Sequence, residues 1–333
     1  MVRGVSPTLS IRSFLRLSAH VQMLPILESG EETLVGGQAV MEGVMMRAPH
    51  SYCVAVRKPN GEVVIDESPL PRVSEKYPIF KYPILRGLGT LGQAMALGIK
   101  ALRFSANAAL DEGDPGKKPQ EISKWAMGLN LLFSIGFFIF LYKFVPLWLA
   151  TKLGSVYHPM DSRIAINLVD GFIRIAIFLV FLSAVSRMKD IRRVFEYHGA
   201  EHKVVFNFES GQPVTVENAQ RFKTFHPRCG TSFLLVVMVL SMLMYALIPV
   251  DGFAAKFASR IALLPLIAGL SYELIRFAAK RQGAMLGALT APGLWLQRIT
   301  TKPPSNDQTA IAIRALDGAM QLEKAQGGEL VIA

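Results

Sequence analysis

The sequence predicts an α-helical integral membrane protein of about four transmembrane helices, with a small α+β module on the cytoplasmic side. Three observations carry this. Hydrophobic residues make up 51% of the 333-residue chain, and they are gathered into long runs, as membrane spans are. A hairpin signal centred on Lys58-Pro59-Asn60-Gly61 precedes the first long run. Basic residues concentrate in one interval between runs, as they do in cytoplasmic loops.

In chain order, residues 1–34 read as a mobile basic tail. Arg3, Arg12 and Arg16 interrupt its short apolar runs, and it has neither the apolar core nor the cleavage site of a secretory signal. Residues 35–110 form the α+β module. It opens on GGQAVMEGVMMRAPH (Gly36 to His50), where Glu42 and Arg47 stand among methionines. The runs YCVAVR (Tyr52 to Arg57) and EVVIDE (Glu62 to Glu67) flank the turn, where Pro presets φ and Asn-Gly accepts positive φ, so a β-hairpin is expected. Ile84 to Phe104 is apolar and Gly-rich, but its uncharged run between Arg86 and Lys100 is too short to span a bilayer, so a packed or interfacial helix fits. Residues 111–124 read as a polar linker.

Residues 125–187 hold the first two spans, Trp125 to Ala150 with Lys143 near one end, and Ile164 to Val185 with Asp170 and Arg174. Those two charges stand four residues apart, share a helix face and can pair. Residues 188–230 form a basic central loop. Residues 231–279 hold the third and fourth spans, Phe233 to Val250 and Ile261 to Ala279, the last with Pro265, Glu273 and Arg276. Asp170 and Glu273, each with an Arg nearby, fit self-neutralising pairs better than a proton path. Residues 280–333 begin with a membrane-hugging segment (Gly283 to Gln297) broken by Gly and Pro. After Pro303-Pro304, with Ser305 or Asn306 as N-cap, they end in a short cytoplasmic helix through about Glu323.

The formal net charge is +11. No nucleic-acid motif accompanies it, so nucleic acid is excluded and the lipid bilayer is the expected partner. The central loop carries Arg187, Lys189, Arg192, Arg193, Lys203, Arg221, Lys223 and Arg228, against Lys152, Arg163, Lys256 and Arg260 on the other side. The N-terminus, the loop and the C-terminus are therefore expected in the cytoplasm. Cys53 and Cys229 form no disulfide framework, which fits a reducing compartment. Protein partners are left open, a homo-oligomer among them.

Chemistry concentrates in the central loop. From Met188 to Glu209 the stripe Ile191, Phe195, His198, His202 and Val205 steps at helical spacing. His198 and His202 then project from one face, one turn apart, with Glu201 on its flank. The spelling His-x-x-Glu-His matches the inverted zincin pattern, in which two histidines bind zinc and the carboxylate is the general base. Buried, hydrogen-bonded core histidines would show the same spacing. Downstream, FHPRCGTSF adds His226 and Cys229 at a spacing zinc accepts. Closed coordination by His198, His202, His226 and Cys229 would be structural; three of these plus water would be catalytic. Glu42 and Glu217 are further carboxylates, and Glu217 fits the first turn of a helix capped by Thr215.

The stretches GGQAVMEGVMMRAP, EYHGAEHKVV, HPRCGTSF, SYELIRFA and PGLWLQRITT together resemble the YqhQ-like bacterial membrane proteins, from about Val35 onward. That family is of unknown function and often labelled a predicted metal-dependent enzyme. The resemblance implies a multi-pass protein of the bacterial inner membrane. It implies a site focused on His198, Glu201, His202, His226 and Cys229, with Gly37, Gln38, Glu42 and Arg47 contributed by the N-terminal motif. The function expected is a zinc-dependent hydrolase at the cytoplasmic membrane surface, with Glu201 as general base. The alternative is a non-enzymatic scaffold or assembly factor in which the same residues hold a structural metal.

Overall fold

The computed structural model describes residues 35–111, 123–157, 162–226, 229–281 and 284–325. The expected N-terminal tail and most of the 111–124 linker lie outside the described residues. An antiparallel sheet runs β1 (Gly36–Val40), β2 (Gly43–Arg47), β3 (Ser51–Arg57) and β4 (Val63–Pro69), with strands paired in chain order. The β3–β4 hairpin closes with Arg57 opposite Val63. Gly61 takes φ +89, and Asn60 Oδ1 accepts the Glu62 N–H at 2.9 Å.

The helices are α1 (Val73–Lys76), α2 (Leu85–Leu110), α3 (Lys124–Ile139), α4 (Val145–Val156), α5 (Arg163–Val185), α6 (Lys189–Glu209), α7 (Val216–Arg221), α8 (Gly230–Leu247), α9 (Phe253–Ala262), α10 (Leu264–Arg281), α11 (Ala284–Thr300) and α12 (Asn306–Ala325). The sheet is sandwiched. Val40, Met45, Tyr52, Val54 and Val56 pack on Leu97, Ala101 and Ala108 of α2. On the other face Val44, Met46, Cys53 and Ala55 meet Tyr197, Ala200 and Val204 of α6 and Ile311, Ala312, Ala315 and Ala319 of α12. YCVAVR is apolar without alternation because β3 is covered on both sides. The C-terminal helix, expected as a short helix through about Glu323, is part of this core. Ser51 Oγ donates to Ala319 O and Glu323 Oε2, each at 2.8 Å.

Among the described residues, two helices are long and apolar enough to cross a membrane, Gly128–Val156 and Arg163–Val185, or three if one bent pair counts as a single span. The first joins α3 to α4 through a π-turn at Phe140–Phe144. Pro146 explains the turn, since it offers no N–H to the carbonyl one turn back. The expected third span is an apolar helix, Phe233–Leu247, shorter than those two. The expected fourth, Ile261 to Ala279, is broken: α9 and α10 meet at 48° around Leu263. Pro265, just inside α10, cannot continue the hydrogen-bond ladder of α9. Of the expected membrane-hugging segment, Gly283 lies outside the described residues and the rest falls in a helix, α11, with Pro292 inside it, packed against α8 and α10.

Both carboxylates singled out in the apolar helices, Glu273 and Asp170, meet arginines. Glu273 takes Arg86 of α2, whose Nε lies 2.6 Å from its Oε1, and it also accepts the Ile84 N–H at 3.1 Å. That places the Glu273 pair across two helices, whereas Arg276 is its neighbour on α10. Arg174 pairs with Asp170 on α5, and Arg260 of α9 lies 3.3 Å from the same carboxylate.

Candidate metal centre

The centre lies where α6, the start of α8 and the end of α11 converge beside β1. His198 and His202 occupy adjacent turns of α6, with ring centroids 4.4 Å apart. Each ring is oriented through its Nδ1, which hydrogen-bonds a backbone carbonyl. His198 Nδ1 lies 2.8 Å from Thr300 O, and His202 Nδ1 lies 2.5 Å from Thr224 O. A carbonyl only accepts, so both Nδ1 atoms carry the proton and both Nε2 atoms present a lone pair. Cys229, the N-cap of α8, brings Sγ to 3.3 Å from His198 Nε2. One donor atom from each of His198, His202 and Cys229 falls within 4.8 Å of the others.

Glu201 completes the surroundings. Its Oε2 lies 3.6 Å from His202 Nε2 and 3.9 Å from His198 Nε2. Burial pushes its carboxyl above the usual carboxylate range, while the nearby His198 and His226 rings and a Gly37 N–H act in the opposite sense. Gly37 also makes room for it, since a Cβ there would sit 2.7 Å from Glu201 Cγ. Burial lowers the His202 pKa to about 4, and the neighbouring His198 adds to that shift, so this ring is neutral at physiological pH.

Not every residue singled out from the sequence joins the triad. His226 is buried, its pKa lowered to about 4 by burial, and its Nε2 faces Glu209 Oε2 at 3.4 Å. Gln297 of α11 fixes its backbone on both sides, accepting His226 N–H at 2.8 Å and donating to His226 O at 2.7 Å. Glu42 sits in the β1–β2 turn at φ 52 and pairs with Arg193 of α6, with Tyr197 OH 3.4 Å away. Gln38 packs against Gly98 of α2, and Arg47 donates to Gln93 Oε1 at 3.2 Å. These residues hold the sheet, α2 and α6 together around the centre. Glu217 pairs with Arg221 in α7, beneath the Thr215 cap. Asp170, Arg174, Glu273 and Arg276 lie on α5 and α10, outside the donor group.

Sequence reasoning missed the supports. The Thr224 and Thr300 carbonyls carry no side-chain signal. Lys203, counted only as a loop charge, donates to Gln220 O at 2.7 Å and Phe222 O at 2.6 Å, fastening the segment that leads to Thr224.

A family model described as "Protein of unknown function (DUF1385)" matches residues 82–322. The chain belongs to that family. The match contains the whole donor group and Glu201, whereas all four strands, with Gly37, precede it. The uncharacterized protein YqhQ of Bacillus subtilis (strain 168) is 35% identical over 298 residues, covering 86% of this chain and 92% of that protein. The motifs that resemble the YqhQ-like proteins therefore belong to a chain-wide likeness. No solved structure matches.

Proposed function

We propose that the chain is a multi-pass membrane protein of the bacterial inner membrane and a metal-dependent, zinc-preferring hydrolase working at the cytoplasmic surface. The observation that carries the metal reading is the convergence of two oriented Nε2 lone pairs and one thiol. One of the donor separations also has the size that zinc requires. Tetrahedral zinc with bonds of about 2.0–2.3 Å separates its donors by roughly 3.3–3.7 Å. The His198 Nε2 to Cys229 Sγ distance is 3.3 Å. A nitrogen–nitrogen–sulfur set suits zinc better than the hard cations, which take oxygen.

When bound, the metal would supply Lewis-acid activation of water or of a substrate carbonyl. The protein's own part is then definite. His198 and His202 would hold the ion, their rings locked by the Thr300 and Thr224 carbonyls. Cys229 would contribute its sulfur from the N-cap position of α8. Glu201, raised in basicity by burial and within 4 Å of both Nε2 atoms, takes a proton from water and returns it to the leaving group. Support for the membrane reading comes from the exposed apolar surface of the long helices, where Trp125, Phe133 and Val180 are 89%, 74% and 70% exposed.

The second reading is a structural clip, favoured by the burial of Glu201 at 6% exposure and by the tie the triad would make between α6 and α8. Bound metal in detergent-purified wild type, His202→Ala and Glu201→Gln separates the two. Hydrolysis predicts metal retained in Glu201→Gln with cellular function lost. A clip predicts that Glu201→Gln keeps both. A wild type that purifies without metal sinks both readings.

A further inference from the structure

Among the described residues, the fold leaves one face of α2 open. Leu97, Ala101 and Ala108 pack on the sheet, Gly87 lies against Tyr272 of α10, and Phe80 covers Gly89. Away from those contacts run Leu88, Gly92, Met95, Ile99, Leu102 and Ala106, in steps of four, three, four, three and four. That alternation is a heptad repeat, the spacing by which two helices pair along a common seam. It covers ~27 Å of helix axis. Met95, Ile99 and Leu102 are 67%, 38% and 44% exposed, Gly92 is exposed, and Leu88 and Ala106 are half-buried.

Two features say what covers this face. The first is Gly92. A glycine inside a helix costs stability, yet no neighbour among the described residues requires this one, since a Cβ there would meet nothing within 4 Å. The second is the order of sizes along the seam. When α2 pairs antiparallel with a second α2 about a two-fold axis at the level of Leu97, Gly92 meets Leu102, Leu88 meets Ala106 and Met95 meets Ile99. Small opposes large at the Gly92 and Ala106 levels, which is how a seam fills without voids. Parallel pairing would instead stack Gly92 on Gly92 and Leu102 on Leu102. Charge agrees. The helix contains Arg86, Lys100 and Arg103 and no acidic residue. Parallel pairing would set each cation level with its own copy, whereas the antiparallel pair sets Lys100 and Arg103 level with Ala94 and Leu91. A bilayer would accept the same apolar residues but asks for neither a heptad period nor matched sizes.

We infer that α2 is a homodimer interface, with a second copy of this chain docked antiparallel along residues 88–106 in an isologous contact. The contact joins the sheet modules of two copies through a face that neither the sheet nor α10 uses. Its residues lie outside the metal centre, so it stands whether or not that centre binds zinc.

The test measures the mass of the full chain in a mild detergent, with bound detergent subtracted. Wild type should be a dimer at micromolar concentration. Every substitution enters a two-fold interface twice. Ile99→Glu places two carboxylates in the seam and should weaken the dimer on the order of a hundredfold. Gly92→Leu enters open space in its own copy and so spares the fold. It collides with Leu102 of the second copy and should weaken the dimer on the order of tenfold or more. Adding Leu102→Ala to Gly92→Leu should restore much of the affinity. In vesicles, a short thiol cross-linker should join Gly92→Cys of one copy to Leu102→Cys of another. It should not join Gly92→Cys to itself, because those two positions stand ~15 Å apart along the axis. A monomeric wild type, a dimer unmoved by Ile99→Glu and Gly92→Leu, or cross-linking of Gly92→Cys to itself overturns the proposal.

Discussion

His198 and His202 sit one turn apart, yet their surroundings differ. His202 and Glu201 are closed in by β1 and the 222–226 segment, while His198 and Cys229 keep partial exposure on the side toward α8. Access to the centre is therefore from the Cys229 side. That makes the two cysteines an internal control. Burial, with Glu67 alongside, pushes the Cys53 thiol up to about 12, so at pH 8 it stays protonated and resists iodoacetamide. Cys229 should alkylate in metal-free protein and be protected when zinc is added, which mass spectrometry of the labelled peptides reads directly. Equal labelling of Cys229 with and without zinc would count against its ligand role. A pH effect follows from the buried imidazoles. His202 and His226 have folded pKa values lowered to about 4 from 6.5. The unfolded chain thus binds more protons below pH 6.5, and metal-free protein loses stability as pH falls from there toward 4. The loss is on the order of 3 kcal/mol per imidazole at pH 4. Thermal midpoints that stay level between pH 7 and 4.5 would contradict this burial.

At the scale of elements, α6 is the organising piece, and its spelling is legible in detail. The helical stripe was readable from spacing alone, because an amphipathic helix repeats its apolar face at intervals of three and four. What spacing could not show is why Gly199 stands between the histidines. A Cβ there would lie 2.0 Å from Lys302 O, and Lys302 N–H donates to Phe195 O at 2.9 Å. The glycine lets the chain after α11 lie flush on α6, which delivers the Thr300 carbonyl to His198. Gly199→Ala should therefore cost about 1–3 kcal/mol from overpacking against backbone and weaken metal retention. A thermal midpoint and metal content equal to wild type would show that the contact is dispensable. The broken α9–α10 pair was less legible. Pro265 was visible, but a proline can kink a span or end it, and only packing decides.

On the scale of the whole molecule, the sheet sandwich unites three segments far apart in sequence: the N-terminal strands, α6 and α12. The hairpin was legible from its turn residues, but its partners were not. The alanines of α12 that meet Cys53 and Ala55 give a helix of small residues with no strong apolar stripe. Contacts such as Ser51 with Ala319 span a separation no local pattern encodes. The same holds for the centre: the histidine pair and Cys229 could be read from motifs, whereas the carbonyls that orient them come from the loop before α8 and the end of α11. The molecule thus places one oriented donor set where its sheet module meets its apolar helices. The most direct test is cobalt(II) titration of full-length metal-free protein in detergent. One cobalt per chain is expected, with a tetrahedral visible spectrum and a sulfur-to-cobalt charge-transfer band that disappears in Cys229→Ser and persists in Cys53→Ser. Absence of that band in wild type, or its survival in Cys229→Ser, would contradict a centre built from His198, His202 and Cys229.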